Sequence, residues 1–400
     1  MSQIRRSGGR AAGLLDAMTI ELTRTPATHR LGVAALTLGI FTIVTTEILP
    51  VGLLTPIGAE FGLTAGRTGW LMTMPGLVAA VAAPVITVTT SRVDRRLMLC
   101  ALMALLAAAG FLAAAAPSYW LELVARFLVG LTIGGFWSIG AGLAQRLVPA
   151  EWTARATAVI FSAVPLGTVL GVPAGTFFGE LLGWRTSFAA LGVLSLVVMV
   201  ILYLAVPPLP PLEVTRLPVL RAALLRSHRA LLATCLIVIG HFAAYTYVTP
   251  FLHSEHTSVL LLVYGVAGLA GNLVAGTTAA RNLRLTFATC AGLMAVAMLL
   301  LPLFGHTTLG AVVLLVVWGL GYGGVPVCTM SMFAAAAPRS REAATVLFTS
   351  SFQAVLSLGA LVGGVVVDAW SASSAMVVGG VCAAITVGVV TWFRAQATDT

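Results

Sequence analysis

With 59% of its 400 residues hydrophobic and only 9% charged, the chain is not an ordinary soluble domain, where roughly a quarter of residues are charged. Its basic residues are 22 arginines and no lysine, against 13 acids. The resulting net charge of +9 is spread over the whole length, which fits membrane topology; nucleic acid is not expected as a partner.

Residues 1–30 form a basic arm with Arg5, Arg6, Arg10, Arg24 and Arg30. The apolar stretch behind it is too long for a signal peptide and lacks a clear small-residue cleavage site, so it reads as an uncleaved first span. Spanning helices need about 20 mostly apolar residues. Twelve such stretches run over 31–55, 68–90, 96–116, 119–147, 153–178, 184–206, 231–253, 257–280, 284–304, 308–335, 340–367 and 372–394. They are continuous apolar runs rather than short alternating ones, which predicts helices and not a barrel. Nineteen arginines lie in the arm, in the even-numbered gaps, at the span ends that border those gaps and beside the tail; the odd gaps and their borders hold only Arg67 and Arg185. Arginine collects in cytoplasmic loops, so both termini are expected in the cytoplasm of a cell-membrane protein.

In the first span, Glu47 is the one acid expected well inside the bilayer. Glu60, Glu122, Glu180, Glu255 and Asp368 are expected at or near periplasmic ends. An intramembrane acid is a functional candidate by default. Glu47 is read either as a proton carrier, with Arg126 stabilising its ionised form, or as half of a fixed Glu47–Arg126 ion pair. The loop between spans two and three carries Arg92, Asp94, Arg95 and Arg96. Span four holds Arg126, the one arginine well inside an apolar segment, then Gly130, Gly134 and Gly135, with Phe136 and Trp137 as cavity candidates. Span five has Gly167, Gly171, Pro173 and Gly175, a spacing suited to close helix approach with a proline bend. A Pro-rich, arginine-bearing segment, 207–230, links residues 31–206 to 231–395, with a tail at 396–400. In span seven, His241 and Tyr245 share a face; they, Asn272 of span eight and Gln353 of span eleven are cavity candidates, each with packing as the alternative. Five scattered cysteines and no clustered histidines support neither a metal site nor disulfides.

The two halves repeat. At an offset of 189, Gly76, Thr89, Arg92, Arg95, Gly130, Gly134, Gly135, Pro149 and Gly175 recur as Gly265, Thr278, Arg281, Arg284, Gly319, Gly323, Gly324, Pro338 and Gly364. The first helices align at an offset of 200, which matches Thr46 and Pro50 with Thr246 and Pro250 and sets Tyr247 opposite Glu47.

Two parallel six-helix halves, together with Arg126-Phe-Leu-Val-Gly130, the fifth-span glycine-proline segment and the Arg92–Arg96 loop, resemble the major facilitator superfamily and its twelve-span drug:proton antiporters. The loop has Ser91 and Asp94 where the family pattern has an acid and a glycine. This variant and the seventh span resemble bacterial sugar and purine nucleoside efflux proteins. The resemblance implies an all-α membrane protein of twelve transmembrane helices in two pseudo-symmetric six-helix bundles, working as a monomer. It further implies proton-coupled export of a sugar, nucleoside or amphipathic drug, with the proton gradient as energy source and no cofactor. The alternative is a proton-independent facilitator or uptake transporter of the same fold. Without lysine no G-x-x-x-x-G-K-[ST] loop is possible, and no nucleophile-base set or H-E-x-x-H occurs, so neither ATP-driven transport nor an enzyme is expected.

Overall fold

A computed structural model describes residues 26–90, 92–140, 143–149, 152–210, 227–252, 257–336 and 341–392. Most of the arm, the centre of the linker, Ser91, Glu255, Arg339, Pro338 and the C-terminal tail lie outside these residues. The described chain is helical throughout its apolar stretches. Its first half comprises α1 (Pro26–Phe61), the short α2 (Ala65–Thr68), α3 (Trp70–Thr89), α4 (Arg95–Ala115), α5 (Tyr119–Gly140), α6 (Ala144–Leu147), α7 (Thr153–Leu166), a π-helical turn (Gly167–Gly171), α8 (Val172–Leu182) and α9 (Trp184–Ala205). The second half comprises α10 (His228–Tyr245), α11 (Val248–Leu252), α12 (Thr257–Phe304), α13 (Thr308–Ala336), α14 (Arg341–Ala369) and α15 (Ala372–Trp392).

Among the described residues, eleven helical stretches are long and apolar enough to cross a membrane. The 48-residue α12 is two crossings joined at Asn282, whose φ of −152° and ψ of 85° are not helical. Asn282 accepts a hydrogen bond from Leu285 N–H at 3.0 Å, capping the second crossing. The chain is therefore an all-α, twelve-span membrane protein. Large apolar side chains such as Val81, Leu204, Leu303 and Val365 are exposed on the outer helix faces, where lipid is their natural solvent.

The repeat reappears as repeated contacts. Gly130 and Gly134 of α5 lie against Pro75, Val78 and Ala79 of α3, while Gly319 and Gly323 of α13 lie against Tyr264, Ala267 and Gly268 of α12. Each contact in the second half is the first-half contact displaced by the sequence offset. The interface between halves repeats too. Gly76 of α3 admits Gln353 and Ser357 of α14, and Gly265 of α12 admits Thr168 and Val169 of the π turn.

Prolines shape the spans that line this interface. Proline has no N–H, so the carbonyl four residues earlier loses its helical donor. In span five, Pro165 and Pro173 bracket the π turn, a register change typical of functional helices. In span seven, Pro250 deprives Thr246, and the helix breaks between Tyr245 and Val248.

Candidate functional site

Pro50 does the same to the carbonyl of Thr46 in α1, beside Glu47. The missing donor comes from another helix: Arg126 of α5 donates from Nη1 to Thr46 O at 2.9 Å. The same guanidinium donates from Nε to Glu122 Oε1 at 3.3 Å and lies over the Phe188 ring, 4.6 Å from its centroid. Glu122, expected at or near a periplasmic end, is fully buried inside the bundle. The ion pair of Arg126 is therefore with Glu122, one turn away on its own helix, and not with Glu47. Glu122 is a site residue whose shielding its place in the sequence did not reveal.

Glu47 has a different partner. Its Oε1 accepts a hydrogen bond from Gln353 Nε2 at 2.9 Å, joining α1 of the first half to α14 of the second. Both side chains are 6% exposed. Gln353 Oε1 has no hydrogen-bond partner. Gly76 lets α3 approach here, since a Cβ on it would come within 2.9 Å of Gln353 O. Tyr322 of α13 lies within electrostatic reach of Glu47. A carboxyl held against a neutral amide keeps its hydrogen bond in either protonation state. Ionised, it accepts from Nε2; protonated, it donates to Oε1 of a turned amide, and the charge-assisted form is the stronger.

Behind Tyr322, His241 is fully buried in an aromatic cluster of the second half. Its ring stacks on Tyr322 at 3.5 Å and 7°, and on Tyr245 at 5.1 Å and 17°. Trp318 Nε1 donates to His241 Nδ1 at 3.1 Å. The spacing had joined His241 with Tyr245; it missed Tyr264, Trp318 and Tyr322, which complete the cluster. Trp318→Phe is expected to leave His241 Nδ1 buried without a donor, at a cost of roughly 1–3 kcal/mol, read by thermal unfolding in detergent. Asn272 donates to Gly323 O at 3.1 Å, tying α12 to α13. Phe136 is 1% exposed in the first-half core against Gly39, with Trp137 packed on the same cluster.

A family model described as Major Facilitator Superfamily matches residues 36–341. The chain belongs to the major facilitator superfamily. It is 34% identical over 360 residues to the transcription regulatory protein OpdE of Pseudomonas aeruginosa, covering 84% of this chain and 87% of that one. Its fold is similar to the human organic anion transporter MFSD10 (TETRAN), with a TM-score of 0.67 and 15% identity, covering 92% of this chain and 100% of that one. It is also similar to a bacterial homolog of the human lysosomal transporter Spinster in an inward-facing, unoccupied conformation. There the TM-score is 0.71 and the identity 16%, over 92% of this chain and 96% of the other.

In a superfamily protein, function depends on where the halves meet. Here they close at the arginine-poor end. Asp368, at the end of α14, accepts from Thr64 Oγ1 at 2.7 Å and from Gly66 N–H at 2.9 Å. Glu180, at the end of α8, accepts from Ser258 Oγ at 3.2 Å. Thr249 Oγ1 donates to Val51 O at 2.9 Å. Each half thus offers an acid from its fifth helix to a hydroxyl near the start of the other half's second. Val51, Met72 and Val172 of the first half join the second-half core at this level. The core around Leu36, Phe136 and Leu202 contains first-half residues and Leu209 only.

The motif residues work within the first half. Asp94 caps α4, accepting from Arg96 N–H at 2.8 Å. Arg95 donates to Thr90 O at 3.2 Å, Arg96 lies over the Tyr203 ring and Arg92 is exposed. Gly167, Gly171 and Gly175 pack the π turn and α8 against Val44, Thr45 and Leu49 of α1. The glycine face therefore holds span five to its own half, and the neighbouring Thr168–Val169 face meets Gly265 across the interface. Pro173 is buried at the first turn of α8.

Proposed function

We propose that this protein is a secondary transporter that exports a small organic solute in exchange for protons by alternating access, with Glu47 carrying the proton. The observation that carries this reading is the Glu47–Gln353 hydrogen bond at 2.9 Å, a titratable group set on the contact between the two halves. A proton on Glu47 weakens that contact by removing its charge assistance, so protonation and movement of the halves are linked. Arginine-rich loops belong to the cytoplasm. With the arginine-poor end closed, this reading makes the described state inward-facing.

A proton-independent facilitator is the second reading. It is favoured by the neutrality of Gln353, which can hold Glu47 as a fixed contact without any change of charge. Sugars, nucleosides and amphipathic drugs are the solutes to test. The experiment is proton release from detergent-purified protein on adding nucleosides, pentoses or chloramphenicol, for the wild type and Glu47→Gln. Release with one solute class that disappears in the variant supports coupled antiport and identifies the class. Solute binding with no release from the wild type sinks the coupled reading in favour of the facilitator, and release that survives the substitution removes Glu47 as the proton carrier.

A further inference from the structure

Apart from the contact at Glu47, two thiols meet in the core of the second half. Cys290, on the second crossing of α12, is 7% exposed, and Cys328, on α13, is fully buried. Gly324 lies one turn before Cys328, and the Cys290 thiol takes the space beside it. A Cβ on Gly324 would stand 2.5 Å from Cys290 Sγ. Residues four apart share a helix face, so Cys328 lies alongside, and the two thiols interact with each other. Among the described residues no charged side chain acts on either of them. The first half builds the same crossing without sulfur. There Gly135, the counterpart of Gly324, packs on Leu102. The offset of 189 sets Ala101 and Ile139 where the second half has Cys290 and Cys328. The fold therefore needs a thiol at neither place, and the second half has both.

Thiolates bind soft metal ions, and ligand number and charge set which ion this pair can take. Among the described residues no group of three or more His, Cys, Asp or Glu side chains is placed to hold an ion. Zinc, which takes four such ligands in a structural site, is not served; an ion content with two is. The apolar surroundings then set the charge. The metal ligand is the thiolate and not the thiol, so full use of the pair creates two negative charges. A buried net charge is costly. A monovalent ion leaves one of those charges uncompensated or one ligand a thiol, whereas a divalent ion leaves a neutral site. We infer that Cys290 and Cys328 form a two-coordinate site for a soft divalent cation of the mercuric class. In the binding step mercuric chloride exchanges its two Hg–Cl bonds for two Hg–S bonds. Both S–H bonds break, two protons and two chloride ions leave, and no atom changes oxidation state. The chloride complex is itself neutral, so it can cross apolar surroundings to reach the pair. The bound ion ties α12 to α13, the helix that carries Trp318 and Tyr322. This site does not depend on Glu47 or on the direction of transport.

The test uses reduced, detergent-purified full-length protein with Cys100, Cys235 and Cys382 replaced by alanine, titrated with mercuric chloride. One ion per chain should bind, and two protons should be released per ion. The bound ion should also resist a competing monothiol, because its second sulfur is already in place. Cys290→Ser or Cys328→Ser in the same background should release it at about 10²- to 10⁴-fold lower 2-mercaptoethanol, the usual gain from a second linked ligand. One equivalent of mercuric chloride should raise the unfolding temperature of the background protein and of neither serine variant. Two ions per chain, one proton per ion, no uptake, or equal sensitivity to 2-mercaptoethanol with and without the serine would each overturn the paired site. Stoichiometry and proton count are read on the background protein alone, so they decide even if a serine variant does not fold.

Discussion

Arg126→Leu should remove most folded protein from a detergent extract. The substitution leaves Glu122 buried with no cation and strips the donor from the Thr46 carbonyl, which Pro50 has already denied its helical partner. It also loses the contact with the Phe188 ring. Breaking a buried pair from one side costs about 3–5 kcal/mol, a large part of the whole stability of a typical domain, about 5–15 kcal/mol. The double variant Arg126→Leu/Glu122→Gln removes the stranded charge and should recover more than half of the lost stability, without recovering proton coupling. Arg126→Lys keeps the charge but lacks the planar fork that serves a carboxylate and a carbonyl together, and should fall between the two. Denaturant unfolding of the four proteins checks this. A single Leu variant as stable as the wild type would mean that Glu122 is not held ionised by Arg126.

That ion pair was readable in principle. Glu122 and Arg126 are four residues apart on one helix, a spacing that places them side by side. What concealed it was shielding. Counting from the start of span four puts Glu122 near the periplasmic end, but packing in the bundle leaves it 0% exposed. Linear distance along a helix measures depth in the membrane and not shielding by neighbours. The twelve crossings were legible, down to the break near Asn282, because continuous apolar length is what the bilayer selects. The duplication was legible because Gly130, Gly134 and their counterparts need the same close approach in each half. His241 and Tyr245 were joined by spacing, and Trp318 and Tyr322, also four apart on α13, carry the same signal. Gln353 as the partner of Glu47 was not legible. The two are 306 positions apart on unlike helices, and no local pattern states which residues of separate halves will face one another.

Closure at the arginine-poor end depends on glycine, and Gly66→Val should prevent it. A Cβ at Gly66 would lie 2.5 Å from both Gly364 O and Asp368 Oδ2, and the first of these is backbone that cannot turn aside. The residue belongs to the short α2, and the nearest atoms to that Cβ all belong to the second half, so the conflict falls on the interface. Overpacking costs about 1–3 kcal/mol, which reduces the closed population about 5- to 150-fold. Alternating access needs that state in every cycle, so solute transport should fall by a similar factor while the protein stays folded. Spin labels on Trp120→Cys and Trp370→Cys, both highly exposed at this end and on opposite halves, should report a longer separation in a cysteine-free background. Gly388→Val is the control, because a Cβ there meets nothing within 4 Å. If Gly66→Val leaves the label distances unchanged, the contact of α2 with α14 is not the seal, and closure rests on Thr249 and Glu180 alone.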